Sequence, residues 1–313
     1  MDSNPNIPED LRKFIEARMA NEKADDLAAL NRRLKELSDD YNHQPQEDFL
    51  KGYSPAMAHG LRHPWNTPGS PIQFARDLTL EQVSSSALFQ QIRTLLLIVS
   101  EQGRIKATKS GNFNRKFVES MVDVLLDEDT REVVLHVNKV LNEPDVWPLH
   151  EARIVASEAG LLHLVKGTIG IPKKHQSLLE EGAAGKLFLR LFDTYFKKYN
   201  IGYRYSYGVD VDWLQHQIDF VLYPLSRKAQ QWTPIAGLPE KILHPMHFEQ
   251  LRDELEGRPY FTPEDAVVSR LIKPLAEWGL LEIRKSSSET FAKPTHVRLA
   301  SLFGEFVSFN RHL

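Results

Sequence analysis

The clearest alternation of apolar and polar positions lies in the middle of the chain. Leu88, Ile92, Leu95, Leu96 and Val99 recur at the spacing of one helix face, and Gly103 stops the pattern. Residues 104–108 read as a short strand with Ile105 turned inward, and Ser110-Gly111-Asn112 as a turn. Phe113, Phe117, Met121 and Val124 define a second amphipathic helix. An acidic break at 127–130 precedes an extra helix over 131–141, and Pro144 and Pro148 bracket the next boundary. Leu149, Ala152, Val155, Ala156 and Ala159 give a third helix ending at Gly160. Residues 161–165 and 168–171 then face each other across Lys166-Gly167 as a hairpin. Helix, strand, helix, helix, hairpin is the order of the winged helix-turn-helix. The pattern predicts one such module over residues 88–178.

A second module is expected over residues 182–313. Leu187, Leu191 and Tyr195 lie on one helix face, and residues 203–207 alternate like a strand. Residues 213–222 read as helical, and Phe248, Leu251 and Leu255 mark another helix. Thr262-Pro263-Glu264-Asp265 has the form of a capped helix start. Val268, Leu271, Ile272 and Leu275 would face inward, with Pro274 kinking or shortening the helix and Gly279 ending it. Residues 280–285 and 295–299 would pair around a polar loop at 286–290, and 302–309 would close as a helix. Gly160-Leu161-Leu162 and Gly279-Leu280-Leu281 sit at matching points of the two halves.

Ahead of these modules, residues 1–41 form an acidic helical N-terminus. Pro8-Glu9-Asp10 suits a helix start, and Leu27, Leu30, Leu34 and Leu37 make an a/d stripe of about two heptads. That stripe fits helices lying on the main body, or a homodimer or partner contact. Residues 42–87 are a connector rich in Pro and Gly, with a short helix over 54–62 begun by Ser54-Pro55 and with Trp65 as an anchor. The expected fold class is thus mainly α with small β-hairpins: two winged-helix-like modules behind N-terminal amphipathic helices.

Charge changes this picture locally. The chain of 313 residues carries 39 Lys and Arg against 42 Asp and Glu, a net of −3, so bulk attraction to a polyanion is excluded and any such binding needs a local patch. Residues 1–50 hold seven basic and twelve acidic side chains, leaving +2 for the remainder. Cysteine is absent, which excludes disulfides, thiol catalysis and cysteine-ligated metal. The start of the chain lacks an apolar signal core, and the longest apolar run, 95–99, is far too short to span a bilayer. A cytoplasmic protein without membrane contact is expected.

Several short motifs carry a resemblance. Tyr41-Asn42, Pro45, Gly52-Tyr53-Ser54-Pro55 and His59 resemble a connector of bacterial proteins with plasmid ORF-3-like or SEC-C-type segments. The stretches from Gly103 to Phe113 and from Glu158 to Leu162 are similar to the helical region those proteins share. The likeness covers roughly residues 30–200 and implies a winged-helix region. The cysteine metal motif of those proteins is missing here, and the resemblance implies no particular reaction.

The candidate chemistry follows from the basic stretches. Arg104, Lys106, Lys109, Arg115 and Lys116 give +5 over residues 104–116 with no acid, and Asn112 and Asn114 add amide donors. Lys166, Lys173 and Lys174 lie on or beyond the wing, near His163 and His175. With Arg153 on the third helix, these groups would act as phosphate clamps for DNA or RNA. The third helix, which would enter the major groove, would expose His150, Glu151, Arg153, Ser157 and Glu158, and two of these are carboxylates. The equivalent helix of the second module offers Glu264, Asp265, Arg270, Lys273 and Glu277. Tyr203, Tyr205 and Tyr207 fit a packed strand face, or stacking on unpaired bases.

Catalytic patterns are sparse. Residues 182–186 have two residues between their glycines where a phosphate loop needs four, so a helix start is expected. His59 and His63 lack the Glu of a zinc helix. Glu282, Arg284 and Asp265 only faintly suggest a nuclease strand. Asp212, His216 and Asp219, with Asp210 just before, would share a helix face and are the best metal or acid/base candidate. The expected function is binding, to nucleic acid in a regulatory role, with a protein-interaction scaffold as the alternative and a metal-dependent enzyme as the third reading. No cofactor is expected.

Overall fold

The computed structural model describes residues 9–20, 27–204, 210–287 and 292–310. Helix α1 (Glu9–Met19) folds back on α2 (Leu27–His43), with Phe14 edge-on to Tyr41 at 5.3 Å. Of the leucine stripe Leu37 is buried, whereas Leu27 stands in solvent. The connector opens with α3 (Pro55–Gly60), where the Ser54 hydroxyl accepts from the Met57 amide and Pro55 stands at the first helical position. Strand β1 (Ile72–Phe74) follows.

The first unit runs α4 (Ala87–Gln102), β2 (Ile105–Lys106), α5 (Arg115–Leu125), α6 (Glu128–Val137), α7 (Trp147–Glu158), β3 (His163–Val165) and β4 (Thr168–Gly170). Its sheet is antiparallel, in the order β2-β4-β3. Lys166 and Gly167 both have positive φ, 51° and 72°, which is the backbone a two-residue hairpin turn requires. The acidic stretch at 127–130 is a helix start rather than a break. Asp127 caps α6 by accepting from the Thr130 amide, and Glu128 and Asp129 lie in the positive first turn.

Helix α8 (Ala184–Lys197) comes next, then α9 (Ile218–Lys228), β5 (Thr233–Pro234), α10 (Leu238–Ile242), α11 (Pro245–Glu254), α12 (Pro263–Val267), α13 (Lys273–Glu277), β6 (Leu281–Lys285) and β7 (Pro294–Leu299). The sheet order β5-β7-β6 repeats that of the first unit. Thr262 and Asp265 form the expected capping box. Pro274 does not break the helix, because a π-helical turn at Val268–Ile272 re-spaces the backbone just before it.

Three expectations need correction here. The strand and leading helix of the second unit are β5 and α9, not the 203–207 segment and α8. Tyr203 closes a 3-10 turn, Ile201–Tyr203, and Tyr205 and Tyr207 lie outside the described residues. Helix α8 belongs to neither unit alone: Phe188 lies 5.3 Å from Phe89 of α4 and 5.2 Å from Trp278. The boundary expected near residue 182 therefore runs through a shared core. The chain also does not close on a helix to 309. Helix α14 (Ser301–Phe306) gives way to β8 (Val307–Phe309), which pairs with β1 of the connector. The fold is mainly α with small antiparallel sheets. Among the described residues no helix is long and apolar enough to cross a membrane.

Candidate nucleic-acid interface

Three of the candidate cations, Arg104, Lys106 and Lys166, lie on or beside the first sheet. Arg104 reaches across from β2 and donates to Thr168 Oγ1 at 2.6 Å and to the carbonyls of Thr168 and Val165 at 2.8 and 3.1 Å. Lys106 pairs with Thr168 in the ladder, the Ala107 amide donates to the Gly167 carbonyl, and Lys166 stands in the hairpin turn. The 108–112 turn is closed by the Thr108 hydroxyl, which accepts from the Asn112 amide at 3.1 Å. Asn114 donates from Nδ2 to the Lys106 carbonyl at 2.7 Å and caps α5, so Arg115 and Lys116 start that helix beside the strand. Lys173 and Lys174 follow β4 at the base of the hairpin, in a 3-10 helix over Lys173–Leu179.

Arg104, Lys106, Lys109, Arg115, Lys116, Lys166, Lys173 and Lys174 are all exposed. Among the described residues none of them forms an ion pair. His175 is held below the usual histidine range by burial first, then by Arg190, Lys174 and His163.

Two of the expected clamps are committed elsewhere. Arg153 is bonded through Nε to Glu143 and through Nη2 to Asn112 Oδ1, so both serve structure. Glu143, which the sequence reading missed, is fully buried. Its carboxylate accepts from the Phe113 amide at 2.6 Å, from His150 Nδ1 at 2.8 Å and from Arg153. It ties the loop before α7 to the basic turn. Its only sequence signal is an acid beside Pro144, which does not distinguish it from a solvated loop residue.

The third helix is the largest departure. His150 and Glu151, expected in the groove, are 6% and 1% exposed. Arg204 donates to Glu151 Oε2 at 3.1 Å and to Glu277 Oε2 of α13 at 2.6 Å, and the Tyr195 hydroxyl donates to Glu151 Oε1 at 3.3 Å. Tyr203 packs on Trp147, with ring centroids 5.5 Å apart, and stays 58% exposed. Burial raises the Glu151 carboxyl to about 7, against the pull of Arg204 and with the Glu277 charge adding to the rise. Arg270 lies nine residues before Gly279, as Glu151 lies nine before Gly160; it is 1% exposed and pairs with Asp212 at 3.1 Å. The two third helices thus each bury one charge, of opposite sign, against the segment between α8 and α9. On α7, Ser157 is half-buried and Glu158 exposed, so the polar face left to solvent there ends in a carboxylate. A polar helix face looks solvated in a sequence, and only the tertiary partner shows that it is covered.

The Asp212, His216 and Asp219 cluster does not assemble. Asp212–Gln217 is a 3-10 helix, so the α-helical spacing that would align the three side chains is absent. Asp212 is bonded to Arg270 and Asn200, and Asp219 accepts from the Trp65 indole at 2.6 Å. His216 is exposed, and Asp210 only approaches the Asp212 amide. Glu282 pairs with Arg298, and Asp265 with Thr262 and Lys293, so that trio is dispersed too. Among the described residues no group of three or more His, Asp or Glu is placed to hold a metal ion.

The first unit is the one that comparison picks out. Residues 84–184 match the model of one protein family, the Y4jL N-terminal domain. The match covers α4 to β4 and ends on the first residue of α8. No curated protein matches the chain, and no solved structure does.

Proposed function

We propose that this protein binds nucleic acid through the phosphate backbone, using a winged-helix wing rather than a groove-reading helix. The observation that supports it is the set of eight exposed cations from Arg104 to Lys174 that form no ion pair among the described residues. On a chain of net charge −3, so many unneutralised cations on one unit favour a polyanionic ligand. Backbone contacts position a protein on nucleic acid without reading bases. With His150, Glu151 and Arg270 buried and Glu158 the exposed end of α7, low sequence selectivity follows. A regulatory role would then rest on occupancy rather than on sequence choice.

Fluorescence anisotropy with duplex and single-stranded oligonucleotides, between about 50 and 200 mM salt, tests this. Log affinity should fall with log salt at about −0.9 per duplex phosphate neutralised, and at about −0.7 per single-strand phosphate. Lys109→Glu, Arg115→Glu and Lys116→Glu together should abolish binding with the fold intact. No binding by the wild type at the lowest salt refutes the proposal.

A protein partner is the second reading, and α6 favours it. No residue of α6 is buried, and Val133 and Val137, one turn apart, are 63% and 70% exposed. With Leu135 they line an open cleft of about 670 Å³. Contiguous apolar surface of this kind marks contact sites more often than scattered side chains do. Under this reading polyanions fail to bind at any salt, and Val133→Asp with Val137→Asp abolishes association in solution.

A further inference from the structure

Helix α8 carries Lys186, Leu189, Arg190 and Asp193 at helical spacing, one stripe along its surface. Trp65, Asn66 and Arg76 of the connector face that stripe across a cleft of about 400 Å³, within the size range of small-molecule sites. Two rigid posts hold it open. Trp65 is fixed by its indole bond to Asp219, by the Lys197 ammonium 3.6 Å from its ring centroid, and by Phe74 at 4.6 Å. Further along, the connector backbone crosses α8 at Gly185, where a Cβ would stand 2.5 Å from the Leu78 nitrogen.

The polar groups around the cleft are not equally free. Asn66 is spent on the Phe74 backbone at 2.6 and 2.8 Å, and Asp193 on Lys197 at 3.1 Å. Arg190 donates to the Ala159 carbonyl at 2.8 Å. Arg76 and Lys186 are exposed and have no carboxylate within ion-pair distance among the described residues. Two cations therefore stand beside an apolar wall formed by Trp65 and Leu189. A carboxylate would neutralise one of them, whereas a phosphate dianion answers both.

We propose that this cleft binds a phosphate-bearing ligand, with the phosphate between Arg76 and Lys186 and an apolar part against Leu189 and the Trp65 edge. The phosphate can belong to a free nucleotide or to a strand continuing past the wing; only the second source rests on the nucleic-acid reading above.

Calorimetry on the full chain with adenosine monophosphate, and anisotropy with a labelled single-stranded oligonucleotide, distinguish the sources. The variants are Arg76→Ala with Lys186→Ala, and separately the wing triple reversal. Nucleotide binding that weakens about tenfold or more in the cleft variant and is unchanged in the wing variant supports the free ligand. Oligonucleotide binding that weakens about tenfold in the cleft variant, with no nucleotide bound, supports the strand. Loss of neither in the cleft variant overturns the proposal. Failure of the wing reading shows separately, as oligonucleotide binding that survives the triple reversal.

Discussion

Replacing Glu151 with Gln isolates the cost of burying one carboxylate. The carboxylate sits between Arg204 and Tyr195 with the Glu277 charge nearby, and burial raises it from 4.5 to about 7. At roughly 1.4 kcal/mol per tenfold change, ionising it in the folded chain costs about 3 kcal/mol more than in the unfolded chain. The folded state keeps this proton over a range in which the unfolded state has released it. The stability this group contributes is therefore complete below about pH 4.5 and is lost as pH rises toward 7. Gln mimics the protonated acid and removes the cost. Urea denaturation of wild type and Glu151→Gln should give similar stabilities near pH 4.5, with the variant more stable by about 3 kcal/mol near pH 8. A variant destabilised equally at both pH values would refute the argument and show that the Arg204 contact outweighs desolvation.

Three further outcomes follow from the same contacts. Glu143→Ala should cost about 3–5 kcal/mol in chemical denaturation, because it leaves His150 and Arg153 without their buried anion. Gly185→Ala should destabilise by about 1–3 kcal/mol, since its neighbours are connector backbone that cannot swing aside; a neutral result in thermal melts would contradict the crossing. Lys166→Asn should stabilise the hairpin by up to about 1 kcal/mol at its positive φ, while reducing the duplex salt slope by about 0.9 if Lys166 meets a phosphate.

The elements whose apolar positions keep a strict period were legible in the sequence: α4, α5, α7, both hairpins and the capped start of α12. The turn at Lys166-Gly167 and the matching Gly-Leu-Leu triplets marked the repeat. Features made by contact between distant polar groups were not legible. Glu143 becomes structural only when the Phe113 amide, His150 and Arg153 converge on it. Arg204 sits in a stretch, 203–207, whose alternation reads as a strand and gives no sign of an ion pair. Its role depends on bringing Glu151 and Glu277 to one point, although they are 126 positions apart in the sequence. The basic surface was legible because charge density survives without tertiary information. The burial of α7 was not, since a polar stripe looks the same whether water or another helix covers it.

The guanidinium shared by α7 and α13, together with a single apolar interior running from Trp65 to Val307, bears on how the chain comes apart. Neither repeat can open without exposing aromatic rings of α8 and stranding a partner of Arg204. Denaturation should then proceed as one concerted event, with the slowest-exchanging amides of both halves sharing a common opening free energy rather than releasing in sequence.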